Sequence, residues 1–488
     1  MRKVMLIWPW SARKGGALEI FPIGIGYLAS NISPDRFDLQ ILDCVLDDLP
    51  PHSDVFVRKL HEFQPDVVGV SWWSLNTEVV EQTFQVLRRE LPAALLMAGG
   101  PHLLGCSQMV VAGGCVDYAF VGEAELGCAQ LLDAIQQASG PPPQQILEQI
   151  PGLVYCSPDG VRQNPPRYLD DLDVVQGIDY QRLRLGDYYA QGYYYGAKYH
   201  KQAELTAPIM TARGCPFQCT FCLAPKIDGR QIRRHSLERV VTTIKRLYLE
   251  FGVRYVAIVD DNFTLNKKWA LKVCQAIADL GFPDLTVGTP NGIPLAGMDV
   301  ELAQAMKRAG WREVTIAPES GSRRTLEAMR KPVNIDAVPG FIRMFHDVGL
   351  RVTAFFIIGY PEETLEDIEM TRKFIFENDF DFAGISIYQP LPGSEIYNRL
   401  VAGAIIPPGF IPGHYQEVTF RRPNMDEQIL CAVYNDIWNE YRERNGMPIK
   451  SRAVARIRER MVVSAFAGAQ GFASNQQTDL VALGQRFV

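Results

Sequence analysis

Cys215, Cys219 and Cys222 stand in the stretch Thr-Ala-Arg-Gly-Cys-Pro-Phe-Gln-Cys-Thr-Phe-Cys-Leu-Ala-Pro at 211–225, a Cys-x3-Cys-x2-Cys spacing. Three thiolates on one short loop can hold three irons of a four-iron cluster and leave the fourth iron open. Clusters that only carry electrons usually have a fourth cysteine. An open iron is a place for chemistry. Gly214 and Pro216 favour a turned backbone around the first cysteine, which lets the sulfurs converge. The alternatives are a zinc site or coincidence. Zinc usually takes four ligands arriving as two spaced pairs. No second pair exists here, because Cys44, Cys106, Cys115, Cys128, Cys156, Cys274 and Cys431 lie scattered, as buried small apolar residues would.

The elements that must position this loop are legible as a rhythm. From residue 1 to about 138, short β-rich apolar segments at 3–8, 39–42, 67–71, 95–99 and 118–121 alternate with amphipathic stretches such as 54–63 and 78–89. That alternation predicts an open, doubly wound parallel sheet with helices on both faces. Ligands of such sheets sit beyond the carboxyl ends of the strands. The residues there are Ser71, Trp72, Trp73 and Ser74, then Gly99, Gly100, Pro101 and His102, then Gly122, Glu123, Ala124 and Glu125. Paired glycines let backbone approach a bulky ligand, although tight turns explain them equally well.

Gly140-Pro-Pro-Pro143 breaks the pattern, and an aromatic-rich connection follows to about 203, including Tyr188, Tyr189, Tyr193, Tyr194 and Tyr195. These tyrosines either line an opening or pack the connection, and packing is the better account. Between 204 and 400 the alternation resumes. Six strand candidates (208–211, 255–259, 285–288, 314–317, 353–358 and 384–388) and helices at 237–251, 267–280, 300–309, 335–348 and 364–378 predict a partial (β/α)6 barrel, whose chemistry lies at the strand carboxyl ends. Residues 401–488 lose the alternation and read as mainly helical, near 426–444 and 451–466. There Arg452, Arg456, Arg458 and Arg460 form a basic face, read as solvated. The expected division is therefore 1–140, 141–203, 204–400 and 401–488.

With 488 residues, the chain is long enough for two or three domains and for buried cofactors. A hydrophobic content of 47% and a charged content of 21% are ordinary globular usage. No apolar run reaches membrane-spanning length, and the opening Met1 to Trp8 reads as a first strand rather than a secretory signal. Unpaired cysteines favour a reducing, cytoplasmic location, and a net charge of −6 gives no electrostatic reason to expect nucleic acid.

Downstream of the cysteines the chain reads Val-Asp-Asp-Asn-Phe at 259–263, Ala-Pro-Glu-Ser-Gly at 317–321, Ile-Ile-Gly-Tyr-Pro-Glu-Glu-Thr at 357–364 and Gln-Pro-Leu-Pro-Gly-Ser at 389–394. With the cysteine spacing and Phe221 before its last cysteine, these segments resemble, in order, the landmarks of the radical S-adenosylmethionine (SAM) superfamily. The resemblance implies a 4Fe-4S cluster on Cys215, Cys219 and Cys222, with SAM chelated to the free iron through its amino and carboxylate groups. One electron then cleaves SAM to a 5′-deoxyadenosyl radical that abstracts hydrogen from an unactivated carbon. By the same resemblance Phe221 lies near the adenine, Asp260, Asp261 and Asn262 meet the amino group, and Glu319 with Ser320 contacts the ribose or methionine portion. The competing role for the two aspartates, capping the helix near Lys267, suits Asn266 better.

The segments Pro-Ile-Gly-Ile-Gly-Tyr-Leu-Ala at 22–29, Asp-Val-Val-Gly-Val-Ser at 66–71, Ala-Gly-Gly-Pro-His at 98–102 and Asp-Tyr-Ala-Phe-Val-Gly-Glu at 117–123 resemble the cobalamin-binding domain found before many radical SAM barrels. The resemblance implies cobalamin contacts at Ser71, Trp72, Ser74, Gly99, Gly100, Pro101, His102, Gly122 and Glu123. One departure is that Val45, in Asp43-Cys-Val-Leu-Asp-Asp48, stands where some cobalamin domains carry the histidine ligand of cobalt. His102 suits the nucleotide tail, or simply its own loop.

The domain pair resembles a cobalamin-dependent radical SAM methyltransferase of class B type, in which SAM methylates cobalamin and also yields the radical, and methylcobalamin supplies the methyl group. A cyclase or rearrangement enzyme without methyl transfer is the alternative, and a cobalamin sensor or chaperone with a structural cluster is a third reading. The expected partners are a small-molecule or peptide substrate and an external electron donor of flavodoxin or ferredoxin type. No separate peptide-recognition domain is evident, which favours a small or medium-sized molecule.

Overall fold

The computed structural model describes residues 1–11, 20–138, 140–193, 205–446 and 455–468. In the first sheet, β1 (Arg2–Trp8), β2 (Phe37–Asp43), β3 (Val67–Ser71), β4 (Leu95–Gly99) and β5 (Tyr118–Phe120) pair in parallel in the order β2-β1-β3-β4-β5. Its central strands are buried on both faces, so they read as continuous apolar runs. Ligand crevices of this strand order lie beyond the carboxyl ends, at the β1/β3 reversal.

The connection at 141–203 does more than span a gap. It supplies β6 (Leu153–Ser157) and β7 (Gly160–Gln163), which extend the first sheet antiparallel from β5. Tyr188 and Tyr193 are buried against Phe21, in accord with packing. Tyr189 is largely exposed, while Tyr194 and Tyr195 lie outside the described residues.

The six expected barrel strands are present, but they form two parallel sheets of three rather than one continuous wall. The first holds β8 (Thr206–Ile209) and, after the short hairpin of β9 (Ala212–Arg213) with β10 (Arg233–Arg234), β11 (Tyr255–Ile258) and β12 (Thr286–Gly288). The second holds β13 (Glu313–Glu319), β14 (Arg351–Ile358) and β15 (Phe382–Ile387). Between β12 and β13 the link thins to a bridge from Val287 to Trp311 and a bond from Ile293 N to Thr315 O at 2.8 Å. The crossover helices start on capping side chains that satisfy otherwise orphaned N–H groups. Ser236 accepts from Arg239 N, Asn266 from Trp269 N, Asp299 from Leu302 N and Thr364 from Asp367 N.

The carboxyl-terminal region holds the expected helix at Glu427–Arg444, but the helix expected at 451–466 is not found. Of that span, residues 455–466 are described, and they run as β17 (Arg456–Ile457) beside β16 (Glu417–Val418), then as an extended strap ending in a short helical turn at Ala465–Gly468. The strap is held by the first domain. Glu81 accepts from Ala465 N at 3.0 Å and from the Ser464 hydroxyl, Arg458 pairs with Glu78 at 3.1 Å, and Phe466 meets Trp72 edge-on at 5.9 Å. These partners explain the departure, because strap contacts made across domains override local helical pattern. Arg456, though paired with Glu417, and Arg460 are exposed, as a solvated face expects, whereas Arg458 is half-buried on Glu78. Arg452 lies outside the described residues. No helix among the described residues is long and apolar enough to cross a membrane.

Candidate functional site

The loop between β9 and β10 carries the three cysteines. Its base is pulled tight: Cys215 N donates to Gly229 O at 3.0 Å, and Gly214, at φ +106°, has Gln231 O only 2.2 Å from where a Cβ would stand. Only glycine fits there. Cys215, Cys219 and Cys222 line one cavity of about 550 Å³ at the barrel mouth, bounded by the loops after β11 and β12 and by the end of β13. No three His, Cys, Asp or Glu side chains among the described residues close around a single ion. Burial pushes the Cys222 thiol up to about 12, and a bound metal cation is what reverses such a penalty.

Around the sulfurs the cavity holds unspent polar capacity. Asp261 lines it with Oδ2 buried and without a hydrogen-bond partner among the described residues, and burial pushes its carboxyl up to about 6. A buried acceptor of this kind calls for a cationic donor. The SAM amino group has that chemistry. Asn262 sits beside Cys215, where it favours the thiolate. Asp260 differs from its neighbour: both its oxygens are taken by Thr211, from N at 2.6 Å and from the hydroxyl, and it holds the end of β8.

Glu319 is the last residue of β13, at φ +69°, just past a register shift against β14. A non-glycine residue in that region is strained, and bulges re-aim side chains near active sites. Its carboxylate lines the cavity and accepts from Lys331 Nζ at 2.8 Å. Lys331 was not foreseen. It follows a left-handed turn at Arg330, and although burial disfavours its charge, the Glu319 carboxylate outweighs that and holds it cationic. Nothing in the local sequence singles it out. Ser320, by contrast, is fully buried, bonded to the Thr371 hydroxyl at 2.9 Å and away from the cavity lining. Phe221 lines the cavity with Phe217, Leu295 and Phe341.

At the strand ends of the first sheet the expected residues divide. Gly99, whose added Cβ would meet nothing within 4 Å, borders open space, and Gly100 and Pro101 are exposed. Gly100 owes its identity to packing, since a Cβ would stand 2.4 Å from Trp72 O. Ser71 is half-buried. Trp72, Ser74 and His102 form a buried knot: the rings of Trp72 and His102 stack at 4.8 Å, Trp72 Nε1 donates to the Thr77 hydroxyl at 3.1 Å, and His102 Nδ1 bonds Ser74 Oγ at 3.1 Å. The knot keeps the loop's shape, while His102 Nε2 is buried without a hydrogen-bond partner among the described residues. Burial lowers His102 to about 3, so it is neutral. Gly122, at φ +76°, packs against Pro166 and Tyr168. Glu123 is bound by Arg233, which donates to both its oxygens at 2.6 and 2.9 Å. Val45 is buried beyond β2. Beside it Asp43 accepts from Val45 N, Leu46 N and the Tyr188 hydroxyl.

Comparisons with known proteins agree with this geometry. The Radical SAM superfamily profile matches residues 209–375 and the B12 binding domain profile matches residues 16–132. An uncharacterized methyltransferase of Pyrococcus horikoshii is 30% identical over 387 residues, covering 79% of each chain. Cytidylyl-2-hydroxyethylphosphonate methyltransferase of Streptomyces wedmorensis is 26% identical over 475 residues, covering 88% of each. Among solved structures, the radical SAM methyltransferase TsrM of Kitasatospora setae, with cobalamin and a [4Fe-4S] cluster bound, superposes with a TM-score of 0.69 at 16% identity. That alignment covers 100% of this chain and 96% of the other, and it shows a common fold. With both cofactor domains matched and a methyltransferase relative 30% identical over 79% of each chain, the chain belongs to the cobalamin-dependent radical SAM methyltransferase family.

Proposed function

We propose that this enzyme methylates an unactivated carbon or phosphorus of a small or medium-sized molecule held between its two cofactor domains. The observation that carries the reading is one cavity shared by three cysteines, an unpartnered buried carboxylate and a buried ion pair. When bound, the cluster and SAM supply a 5′-deoxyadenosyl radical, and cobalamin supplies the methyl group. In this reading Cys215, Cys219 and Cys222 hold the cluster. Asp261 accepts from the SAM amino group, Lys331 faces its carboxylate, and Glu319, held by Lys331, orients the ribose. Phe221, Leu295 and Phe341 exclude water from the reacting carbon, as radical chemistry requires.

Backbone around Gly99, Gly100 and Pro101 would hold cobalamin, and Val45 offers it no histidine from the loop after β2. The electron arrives from a flavodoxin or ferredoxin type of donor. All ten cysteines are unpaired, which suits a reducing, cytoplasmic setting. The test is turnover of anaerobically reconstituted, reduced enzyme with methyl-deuterated SAM and metabolite extract. Label must appear in a product, with 5′-deoxyadenosine and S-adenosylhomocysteine formed in comparable amounts. An unlabelled product accompanied by 5′-deoxyadenosine alone would favour the cyclase or rearrangement reading instead.

A further inference from the structure

The cluster loop is tied to the first domain by charges that the chemistry above does not use. Arg213 ends β9 and Arg233 begins β10, and the two are partners across the hairpin that closes the loop. Both guanidinium groups are buried, and both point to the turn after β5. Arg233 grips Glu123 with two nitrogens, at 2.6 and 2.9 Å, while Arg213 reaches Glu125 at 2.7 Å and Glu123 at 3.3 Å. Side-chain exposure is 5% for Arg213, 2% for Arg233, 6% for Glu123 and 10% for Glu125. The Tyr27 ring lies 4.6 Å from the Arg213 guanidinium, and the Asp228 carboxyl lies within electrostatic reach of Arg213 and both glutamates.

Arg233 is also a junction. One nitrogen donates to Leu169 O at 2.9 Å, in the connection between the domains, and the other to Asp228 O at 2.6 Å, inside the cluster loop. The next residue, Gly229, accepts from Cys215 N. An unbroken path therefore runs from the end of β5 through Glu123, Arg233 and the Asp228-Gly229 backbone to the first cluster cysteine. Bidentate arginine–carboxylate pairs fix direction as well as distance. Apolar residues of similar volume would often hold two domains together as well or better, so an ion pair at this spot suits registry more than adhesion.

We propose that Glu123 and Arg233 are positioning residues that set the separation and angle between cobalamin and the cluster. The inference rests on the methyltransferase reading for the presence of both cofactors. Glu125 and Arg213 form the second arm of the same clamp and limit rotation about the first.

The test uses holoenzyme loaded with iron, sulfide and cobalamin, reduced so that the cluster and cob(II)alamin are both paramagnetic. The magnetic coupling between them is measured by pulsed electron paramagnetic resonance for wild type, Glu123→Gln, Arg233→Lys and Glu440→Gln, a control that breaks an ion pair of the carboxyl-terminal helix. Arg233→Lys keeps the buried charges matched and covers the case in which Glu123→Gln fails to fold. Glu123→Gln and Arg233→Lys should keep their iron and cobalamin, while the coupling weakens and its distribution broadens. Single-turnover methyl transfer from SAM to reduced cobalamin should slow by up to about a hundredfold, as a misplacement of about 1 Å can cause. The control should match wild type.

Coupling of wild-type shape in Arg233→Lys would overturn the proposal. So would loss of cobalamin from that variant at full iron content, because a positioning residue changes where a cofactor sits, not whether it binds. Failure of the wild type to bind cobalamin or cleave SAM would instead remove the reading on which the inference rests.

Discussion

The barrel mouth and the strand ends of the first sheet carry similar numbers of polar candidates but use them in opposite ways. At the barrel mouth, Asp261 and the Glu319–Lys331 pair face a cavity with bonding capacity left over. At the first sheet, Trp72, Ser74 and His102 are bonded or stacked on one another, with His102 Nε2 left without a partner among the described residues, and Glu123 is taken by arginines of the other domain. The free surface there is backbone around Gly99. A small charged ligand such as SAM is held by side chains that complement its charges. A large corrin can be held by an open loop whose side chains are committed to keeping its shape.

The comparison breaks most sharply at the cysteines. Cys219→Ala should abolish 5′-deoxyadenosine formation from SAM, because two thiolates do not hold the cluster in its open form. Cys106→Ala, a buried cysteine of the first domain, should leave that activity intact and lower stability only modestly. Liquid chromatography of SAM products from both variants is decisive: a Cys219→Ala protein that still makes 5′-deoxyadenosine would reverse the assignment of the barrel mouth.

Asp261 sharpens the contrast in two directions at once. Asp261→Asn should weaken SAM binding about ten- to a hundredfold, the range for losing a charged hydrogen bond, as read by equilibrium binding. The same change should stabilise the cofactor-free protein. Burial pushes its carboxyl up to about 6 in the folded protein, against about 3.9 in the unfolded chain, so above pH 6 it is ionised in both states and the folded state carries the penalty. That penalty is at most about 3 kcal/mol. It shrinks as pH falls from 6 towards 4 and vanishes once both states are protonated. Urea denaturation at pH 8 and pH 4 should therefore show the Asn variant ahead at pH 8 and level at pH 4.

How much of this was readable beforehand follows from range. β3 and β4 fall at the expected residues, and the six barrel strands were countable, because burial periodicity is local. The cysteine loop was legible for the same reason, its chemistry lying within eight residues. The Asp260–Asp261 pair looked alike in sequence, and the backbone N–H and hydroxyl of Thr211, two residues past β8, separate a structural aspartate from a free one. Glu123 stood at a strand end where ligands bind, and its true partners lie about ninety and 110 residues away in Arg213 and Arg233. The helix expected at 451–466 gives way from 455 onward to a strap, because its partners, Glu78 and Glu81, belong to the other end of the chain. Lys331 had no local signal at all.

His102 tests the claim that the first sheet's polar residues are structural. Its folded pKa is lowered to about 3 by burial, against about 6.5 unfolded. Its contribution is therefore neutral above pH 6.5. Below that, the unfolded chain gains a proton that the folded one refuses, and stability falls by about 1.4 kcal/mol per pH unit. Denaturant midpoints of the cofactor-free protein should fall between pH 7 and pH 5 by an amount that His102→Gln removes. An unchanged pH dependence in that variant would mean that His102 reaches solvent, and hence a ligand.

The smallest expected effect separates two glycines on helices of the same domain. Gly24, in the helix Ile23–Asn31, would place a Cβ in open space, whereas Gly105, in the helix Leu103–Ala112, would drive one to 2.3 Å from Gly393 N and 2.4 Å from Pro392 C, both in the barrel's last strand-end loop. Replacing a helical glycine by alanine at an unobstructed site gains about 0.4–1 kcal/mol by restricting the unfolded chain. Gly24→Ala should therefore raise the melting temperature slightly. Gly105→Ala has the same helical gain available, but its methyl meets backbone rather than a movable side chain. Gly393, at φ +92°, cannot yield without losing its own conformation and the bond that its carbonyl accepts from Lys226. Overpacking of this kind costs about 1–3 kcal/mol, so the net sign should reverse. Calorimetry of the two variants beside wild type reads both signs at once. A Gly105→Ala protein as stable as Gly24→Ala would mean that the two domains can separate freely at this contact, leaving the ion pairs of Glu123 and Arg233 to hold the cofactors in register unaided.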